Sequence, residues 1–183
     1  MKTSDTSARP ERKASKDALL CEAKASVVAT DAFIPRRPIE GRKGGVSYFS
    51  ISELTSSATA QREGIDNRPT ESAYHLLHVL VKQLLDPIRE AWGEPIVVSS
   101  GYRCPELNAL VGGAKHSHHL LGCAADLIAG NRDDHRRLFR MIQQMQREGK
   151  IRFTQLIAED DYRWLHISYV PSNLKCQALS GEK

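Results

Sequence analysis

The sequence predicts an α+β fold, in which helices flank a small and mainly antiparallel sheet. Apolar residues recur at helical spacing over residues 71–92, which predicts one long helix. Two alternating runs, at residues 153–158 and 164–170, flank a polar turn and predict an antiparallel hairpin. The chain has 183 residues, enough for one domain with a buried core, and no apolar run is as long as a membrane span.

Residues 1–46 are predicted to be a basic and flexible N-terminal extension. They hold ten of the 26 Lys/Arg and six of the 22 Asp/Glu, so the extension accounts for the formal charge of +4. Glu22 and Lys24 interrupt the apolar stretch that a secretory signal needs, and we expect a protein made in the cytoplasm without a signal peptide. Nucleic-acid binding would belong to this extension, but its modest charge and lack of interleaved aromatic residues argue against such a partner.

The folded domain is predicted over residues 47–172, beginning with a short helix. Ser50 and Glu53 fit a capping box, in which the serine caps backbone amides and the glutamate reaches back. We expect this helix to run to Glu63 and to stop at Gly64. A turn at residues 67–69 then leads into the long helix.

The long helix contains Pro87, which lacks an amide donor and must kink or restart it, and Gly93 ends it. His75 and His78 lie on this helix and are interpreted as surface or packing residues. The later elements are, in order, a strand at 95–100, a loop at 101–117 with a helical turn at 105–110, a strand at 123–128, a helix from 131 to 149, and the hairpin. Residues 173–183 show no pattern and are assigned to a C-terminal tail.

Residues 117–126 place histidines and a carboxylate on either side of a turn that a glycine permits, and His166 follows in the second strand of the hairpin. Two histidines and one carboxylate leave a tetrahedral zinc with an open position, as in catalytic rather than structural sites. A metal there activates water by lowering its pKa. From spacing alone, hydrogen-bonded loop or strand residues are the more frequent interpretation, and these ligand types also suit other divalent metals.

Ser-x-His-x-x-Gly-x-Ala-x-Asp at residues 117–126, followed by Trp-x-His at 164–166, resembles the zinc signature of peptidase family M15. This family contains the zinc D-Ala-D-Ala carboxypeptidases and related peptidoglycan endopeptidases, and it belongs to the LAS metallopeptidase group. Ser-Gly-Tyr-Arg at 100–103 and the stretch at 48–55 resemble the same family. The likeness runs from about Tyr48 to Val170 and implies an LAS/hedgehog-like metallopeptidase fold.

The resemblance implies one zinc ion held by His119, Asp126 and His166. The Ser-x-His register selects His119, whereas a shifted loop would bring in His118. His116 and His118 are both treated as non-ligands.

Arg103 matches a family arginine that helps to bind substrate and to polarise the scissile carbonyl, although a surface salt bridge is the plain alternative. Ser117 is a second candidate substrate-binding residue, and capping of the turn before His119 is an equally weighted alternative.

The general base is predicted to be Glu159, with Asp160 as the second choice. Better-known members of the family carry an acid three residues before the last histidine ligand, where this chain has Arg163. Members that resemble this chain most carry a glutamate after a Gln-Leu-Ile strand, which corresponds to Glu159. The alternative is that the acidic residues of this turn are merely solvated.

The resemblance therefore implies a zinc metallopeptidase that acts on peptidoglycan stem peptides in the cell wall or periplasm, as a D-Ala-D-Ala carboxypeptidase, a cross-link endopeptidase or a phage lysin. The rival hypothesis is a catalytically inactive, zinc-containing module that binds peptidoglycan or protein on the same fold. The sequence leaves the oligomeric state open.

Overall fold

The structure is a computed structural model that describes residues 39–41 and 45–181, and it confirms the α+β fold. The strands in this part of the chain are β1 (Ile39–Gly41), β2 (Gly45–Ser47), β3 (Val97–Ser100), β4 (Ala124–Ile128), β5 (Gln155–Glu159), β6 (Trp164–Ser168) and β7 (Gln177–Ser180). The helices are α1 (Ile51–Thr55), α2 (Ala58–Glu63), α3 (Glu71–Leu80), α4 (Asp86–Trp92), α5 (Pro105–Leu110) and α6 (Arg132–Arg147).

The main sheet has five strands in the order β3-β4-β6-β5-β7. Its neighbouring strands are antiparallel, except that β7 runs parallel to β5. The hairpin predicted from alternating residues is confirmed as β5 and β6, with Leu156 opposite Ile167 and Ala158 opposite Leu165. These four side chains are buried in the core, whereas their neighbours in sequence lie on the other face of the sheet.

Helices α3, α4 and α6 contribute the apolar side chains that pack against the core face of the sheet. The largest buried side chains of these helices and of the segment between α3 and α4 are Leu77, Leu80, Leu84, Leu85, Ile88, Leu138 and Ile142. The capping of α6 is reciprocal, because the Asn131 side chain accepts from the N–H of Asp134 while the Asp134 carboxylate accepts from the N–H of Asn131. The acidic helix start predicted here is confirmed.

The single helix predicted up to Glu63 is wrong, because the structure has two short helices there. Ser50 caps α1 as predicted, and its hydroxyl accepts a hydrogen bond from the N–H of Glu53. Ser56 is extended and ends α1, and the Ser57 hydroxyl then caps α2 through the N–H of Ala60. A serine pair therefore provides both a break and a new cap.

The prediction that Pro87 kinks or restarts the long helix is confirmed as a restart, because a new α-helix begins at Asp86. A five-residue π-helical turn, Val81–Leu85, joins α3 to α4, and Pro87 lies in the first turn of α4. The wider turn removes the need for an amide donor at Pro87 and relieves the clash that a proline ring makes in a regular α-helix. Gly93 ends α4 in the left-handed conformation, as predicted.

The predicted extension and tail both contain strands. Within residues 1–46 the structure describes 39–41 and 45–46, where β1 pairs with β2, and the rest of the predicted extension lies outside the described residues. The segment 173–183, assigned to a patternless tail, contains β7, which pairs with β5. Among the described residues, no helix combines the length and the apolar character needed to cross a membrane.

Candidate metal centre

The centre lies on the face of the sheet opposite the core, where β4 and β6 are neighbours. Asp126 and His166 are direct cross-strand partners, so their side chains emerge side by side on this face. Asp126 Oδ1 lies 3.0 Å from His166 Nδ1, and the carboxyl group is almost fully buried. Strand register alone therefore brings a carboxylate and an imidazole together.

His119 approaches the pair from a short 3₁₀ turn between α5 and β4, His118–Leu121. The turn ends at Gly122, whose φ of 71° is a backbone conformation that glycine adopts without strain. His119 Nδ1 donates to the carbonyl of Gly101 at 2.6 Å. Because a carbonyl oxygen only accepts, the ring proton is on Nδ1, and the Nε2 lone pair faces Asp126 and His166.

The donor set fits a zinc ion. His119 Nε2 lies 3.3 Å from Asp126 Oδ1 and 3.1 Å from His166 Nδ1, and all the ligand atoms lie within 4.8 Å of one another. Ligand atoms at about 2.1 Å from a tetrahedral zinc stand about 3.4 Å apart, which is close to the observed separations. Two imidazole nitrogens and one carboxylate oxygen are also ligands that zinc accepts.

The electrostatics of the centre keep these groups in the states that metal binding needs. Burial opposes ionisation of Asp126, yet the neighbouring imidazoles of His119 and His166 hold the pKa of its carboxyl well below the ordinary value. Burial lowers the pKa of His119, which favours the neutral imidazole. An ionised carboxylate beside a neutral imidazole is a metal-binding state at neutral pH.

Arg103 adds a cation to the centre. Its Nη2 lies 3.8 Å from Asp126 Oδ2, and its side chain is only 12% exposed. Burial lowers the pKa of the guanidinium while Asp126 opposes that change, and an arginine remains charged under either influence. Its Nε is buried and has no hydrogen-bond partner among the residues that the structure describes.

Asn67 fixes the backbone on both sides of Arg103, a role that the sequence did not reveal. Its Oδ1 accepts from the N–H of Cys104 at 2.8 Å, and its Nδ2 donates to the carbonyls of Tyr102 and Thr55 at 3.1 and 2.9 Å. An Asn-Arg-Pro sequence indicates only a turn. The fold shows that the Asn67 side-chain amide is hydrogen-bonded to a residue 37 positions further along the chain.

The loop that carries Arg103 is also fixed by contacts with helix α1. The N–H of Tyr102 donates to the Leu54 carbonyl, and a Cβ added to Gly101 would stand 2.1 Å from the same oxygen. The backbone therefore passes so close to α1 that only glycine fits at this position. The Gly101 carbonyl that orients His119 is fixed in place by this contact.

Glu159 and Asp160, the two candidate bases, differ in their surroundings. Glu159 is half-buried and lies opposite Trp164, on the same face as His166, and such diagonal cross-strand neighbours are about 7–8 Å apart. Asp160 lies in the following turn, where its carboxylate forms a 3.0 Å ion pair with Arg163.

This turn has an unusual backbone. Asp160, Asp161 and Tyr162 all have positive φ, between 47° and 58°, which costs energy for residues other than glycine. Arg132 and Arg136 of α6 hold the turn through ion pairs of 2.6 and 3.1 Å with Asp161.

The neighbouring candidates make other contacts. The Ser117 hydroxyl accepts from the N–H of His119 at 3.3 Å, which is the capping alternative for this residue. His118 Nδ1 is hydrogen-bonded to the Ser168 hydroxyl at 3.0 Å and is not in the three-residue group, whereas His116 is exposed.

Comparisons with known proteins agree with the geometry. The family described as Peptidase M15 matches residues 47–168, about two thirds of the chain. The curated zinc D-Ala-D-Ala carboxypeptidase of Streptomyces albus G is 48% identical to this chain over 48 residues. Those residues are 26% of this chain and 19% of that relative, so the match spans about a fifth of the relative's length.

Proposed function

This chain belongs to the peptidase M15 family, and we propose that it is a zinc-dependent peptidase that hydrolyses D-amino-acid-containing peptide bonds of bacterial peptidoglycan. The observation that carries this proposal is the convergence of His119, Asp126 and His166, with ligand atoms separated as zinc ligands are. The name of the relative from Streptomyces albus G supports both the metal and the substrate class.

His119, Asp126 and His166 would hold one zinc ion. When bound, the ion would supply Lewis-acid activation of a water and of the scissile carbonyl. The Gly101 carbonyl contributes by holding the proton of His119 on Nδ1, which keeps Nε2 free for the metal.

Arg103 would bind the substrate through its guanidinium, which lies beside Asp126 in the centre. A guanidinium presents its donors in a planar fork, which suits a carboxylate or the oxygen of a polarised carbonyl. In this position it would orient the peptide and stabilise negative charge that develops on the carbonyl oxygen. Asn67 would keep the fork in place by fixing the backbone on either side of it.

Glu159 would accept the proton from the attacking water and donate it to the departing amine. Its half-buried position on the site face supports this role, whereas the ion pair of Asp160 with Arg163 makes Asp160 the weaker candidate. Ser117 is proposed as a secondary substrate contact, since its hydroxyl can donate to a ligand while accepting from His119 N–H.

We place this activity in a peptidase domain over residues 47–172, with action at the cell wall or in the periplasm. Two products distinguish the forms of the activity, because a carboxypeptidase releases free D-alanine whereas a cross-link endopeptidase releases separated stem peptides. A phage lysin would fit either product.

The test is mass spectrometry of products released from purified peptidoglycan, with a chelator and with zinc added back. We expect products that disappear on chelation and return with zinc. Glu159→Gln should lower the rate by roughly 10²–10⁴, whereas the matched variant Asp160→Asn should stay close to wild type. Intact peptidoglycan after treatment with folded, zinc-loaded protein would contradict the peptidase proposal.

One observation favours a second candidate function, an inactive zinc-containing module that binds peptidoglycan or protein. Arg163 occupies the position at which better-known members of the family carry an acid. This candidate predicts bound zinc and binding to peptidoglycan without turnover, and it predicts the same binding in wild type and in Glu159→Ala. Products that depend on Glu159 would exclude it.

A further inference from the structure

The site face of the sheet continues beyond the metal centre in one straight row of side chains. Asp126 lies opposite His166, His166 opposite Ile157, and Ile157 opposite Leu179. Directly paired residues project on the same face of a sheet, so these four side chains share the face that carries the centre. The row leads from the buried ligand Asp126 to the edge strand β7.

Exposure increases along this row. Asp126 is buried, Ile157 is half-buried, and Leu179 is 44% exposed. Ala178, which precedes Leu179 in β7, packs against the hydrophobic core. Since alternate residues of a strand face opposite sides of the sheet, Leu179 faces away from the core. Ile157 and Leu179 together form an apolar strip, here called the edge shelf, which leads away from His166.

The edge shelf has polar groups beside it that suit a peptide. Gln155 and Gln177 form the neighbouring row, with Nε2 of the first 3.4 Å from Oε1 of the second. Glu159 lies on the other side of Ile157 along β5. Amide groups that flank an apolar strip can bind backbone groups of an extended peptide while the strip binds its side chains.

We propose that the edge shelf is a substrate subsite for an aliphatic side chain about three residues from the bond that is cut. Neighbouring strands lie about 4.8 Å apart, so Leu179 is about 10 Å from His166 across two strand spacings. An extended peptide covers about 3.3 Å per residue, which makes this distance about three residues. The inference rests on the proposed peptidase function and adds a preference for longer peptides with an aliphatic residue at that position.

Strand β7, which supplies Leu179 to this subsite, lies outside the part of the chain that matches the family. It follows residue 168, where the family match ends, and it reaches the site face only because it pairs with β5. Single exposed leucines are common on protein surfaces and need no explanation. Leu179 differs because its register with Ile157 and His166 makes it continuous with the metal centre.

The test uses peptides that share a central D-Ala-D-Ala bond. One series is lengthened by three residues on the amino side and the other on the carboxyl side, and the outermost residue is either leucine or serine. In one series we expect wild-type kcat/KM to favour leucine over serine by roughly five- to tenfold, as burial of part of a leucine side chain allows. Leu179→Ser should abolish this preference and leave cleavage of the unlengthened peptide unchanged.

Leu110→Ser is the matched control, because Leu110 is 53% exposed on α5 and outside the row. It should retain the preference. Equal kcat/KM for leucine and serine peptides in wild type, or an unchanged preference in Leu179→Ser, would overturn the inference. A changed oligomeric state in Leu179→Ser with no change in preference would also overturn it, because the edge shelf would then bind a second copy of the chain.

Calorimetric titration of the same peptides in the presence of a chelator separates this inference from the proposed function. If no peptide is cleaved, the peptidase proposal fails. The titration still decides the subsite, because tighter binding of the leucine peptide by wild type but not by Leu179→Ser supports it and equal binding refutes it.

Discussion

Replacement of Asn67 by alanine tests whether the centre depends on a residue outside the three candidate ligands. The side chain makes hydrogen bonds of 2.8, 2.9 and 3.1 Å to Cys104, Thr55 and Tyr102. Each bond contributes about 0.5–1.5 kcal/mol, and the buried Cys104 N–H left without its partner costs about 1–3 kcal/mol. Because these contributions overlap, we expect Asn67→Ala to lower the free energy of unfolding by roughly 2–4 kcal/mol.

The assay is urea denaturation followed by circular dichroism, with kcat and KM measured on the same preparations. We expect kcat/KM to fall at temperatures where the variant is fully folded, since the backbone around Arg103 is less well fixed. Arg68→Ala is the control, because the ion pair of Arg68 with Asp66 is exposed at the surface of the same turn. A loss of stability below about 0.5 kcal/mol in Asn67→Ala would refute the reasoning.

Three further predictions concern the ligand set, a glycine and a buried histidine. Asp126→Asn should lose the bound zinc of dialysed protein in elemental analysis while keeping its circular dichroism spectrum, whereas Asp160→Asn should keep the zinc. Gly122→Ala should be more destabilising in thermal denaturation than Gly149→Ala: both glycines have φ near 70°, but only at Gly122 would a Cβ meet backbone, 2.5 Å from the Ala73 carbonyl oxygen. Equal losses would show that the close contact is unimportant. The buried His135 donates to the Tyr162 carbonyl and accepts from the Ala129 N–H, and burial lowers its pKa. As the pH falls, His135 is therefore protonated in the unfolded chain before it is protonated in the folded one. Stability should therefore decline as pH falls through about 6.5, and less steeply in His135→Gln; parallel profiles for the two proteins would contradict this.

The fold class could be predicted from local patterns, whereas the grouping of His119, Asp126 and His166 was implied by the resemblance to the family's zinc signature. Alternation in residues 153–158 and 164–170 gives the hairpin, and the same alternation places His166 on the face away from Leu165 and Ile167. The family pattern then indicates which of three neighbouring histidines joins Asp126. Each of these inferences uses residues that are close in sequence or a motif of fixed spacing.

The features that the sequence did not reveal depend on contacts between distant segments. Strand β7 is four residues long and has little alternation of polar and apolar residues. It is a strand because it pairs with β5. The break at Ser56 is invisible because serine is tolerated inside helices and favoured at caps alike. The role of Asn67 requires the loop of Arg103 to be beside it, which only the folded chain provides.

The direct pairing of Asp126 with His166 has a consequence for how the protein reaches its active form. A slip of one residue between β4 and β6 would turn His166 towards the interior and expose Leu165 and Ile167 to water. A chain with this slip therefore lacks the ligand set, so correct register between β4 and β6 is a condition for metal binding. During refolding, the recovery of zinc binding should not precede the recovery of β-structure, so a colorimetric zinc indicator would report the yield of correctly folded molecules.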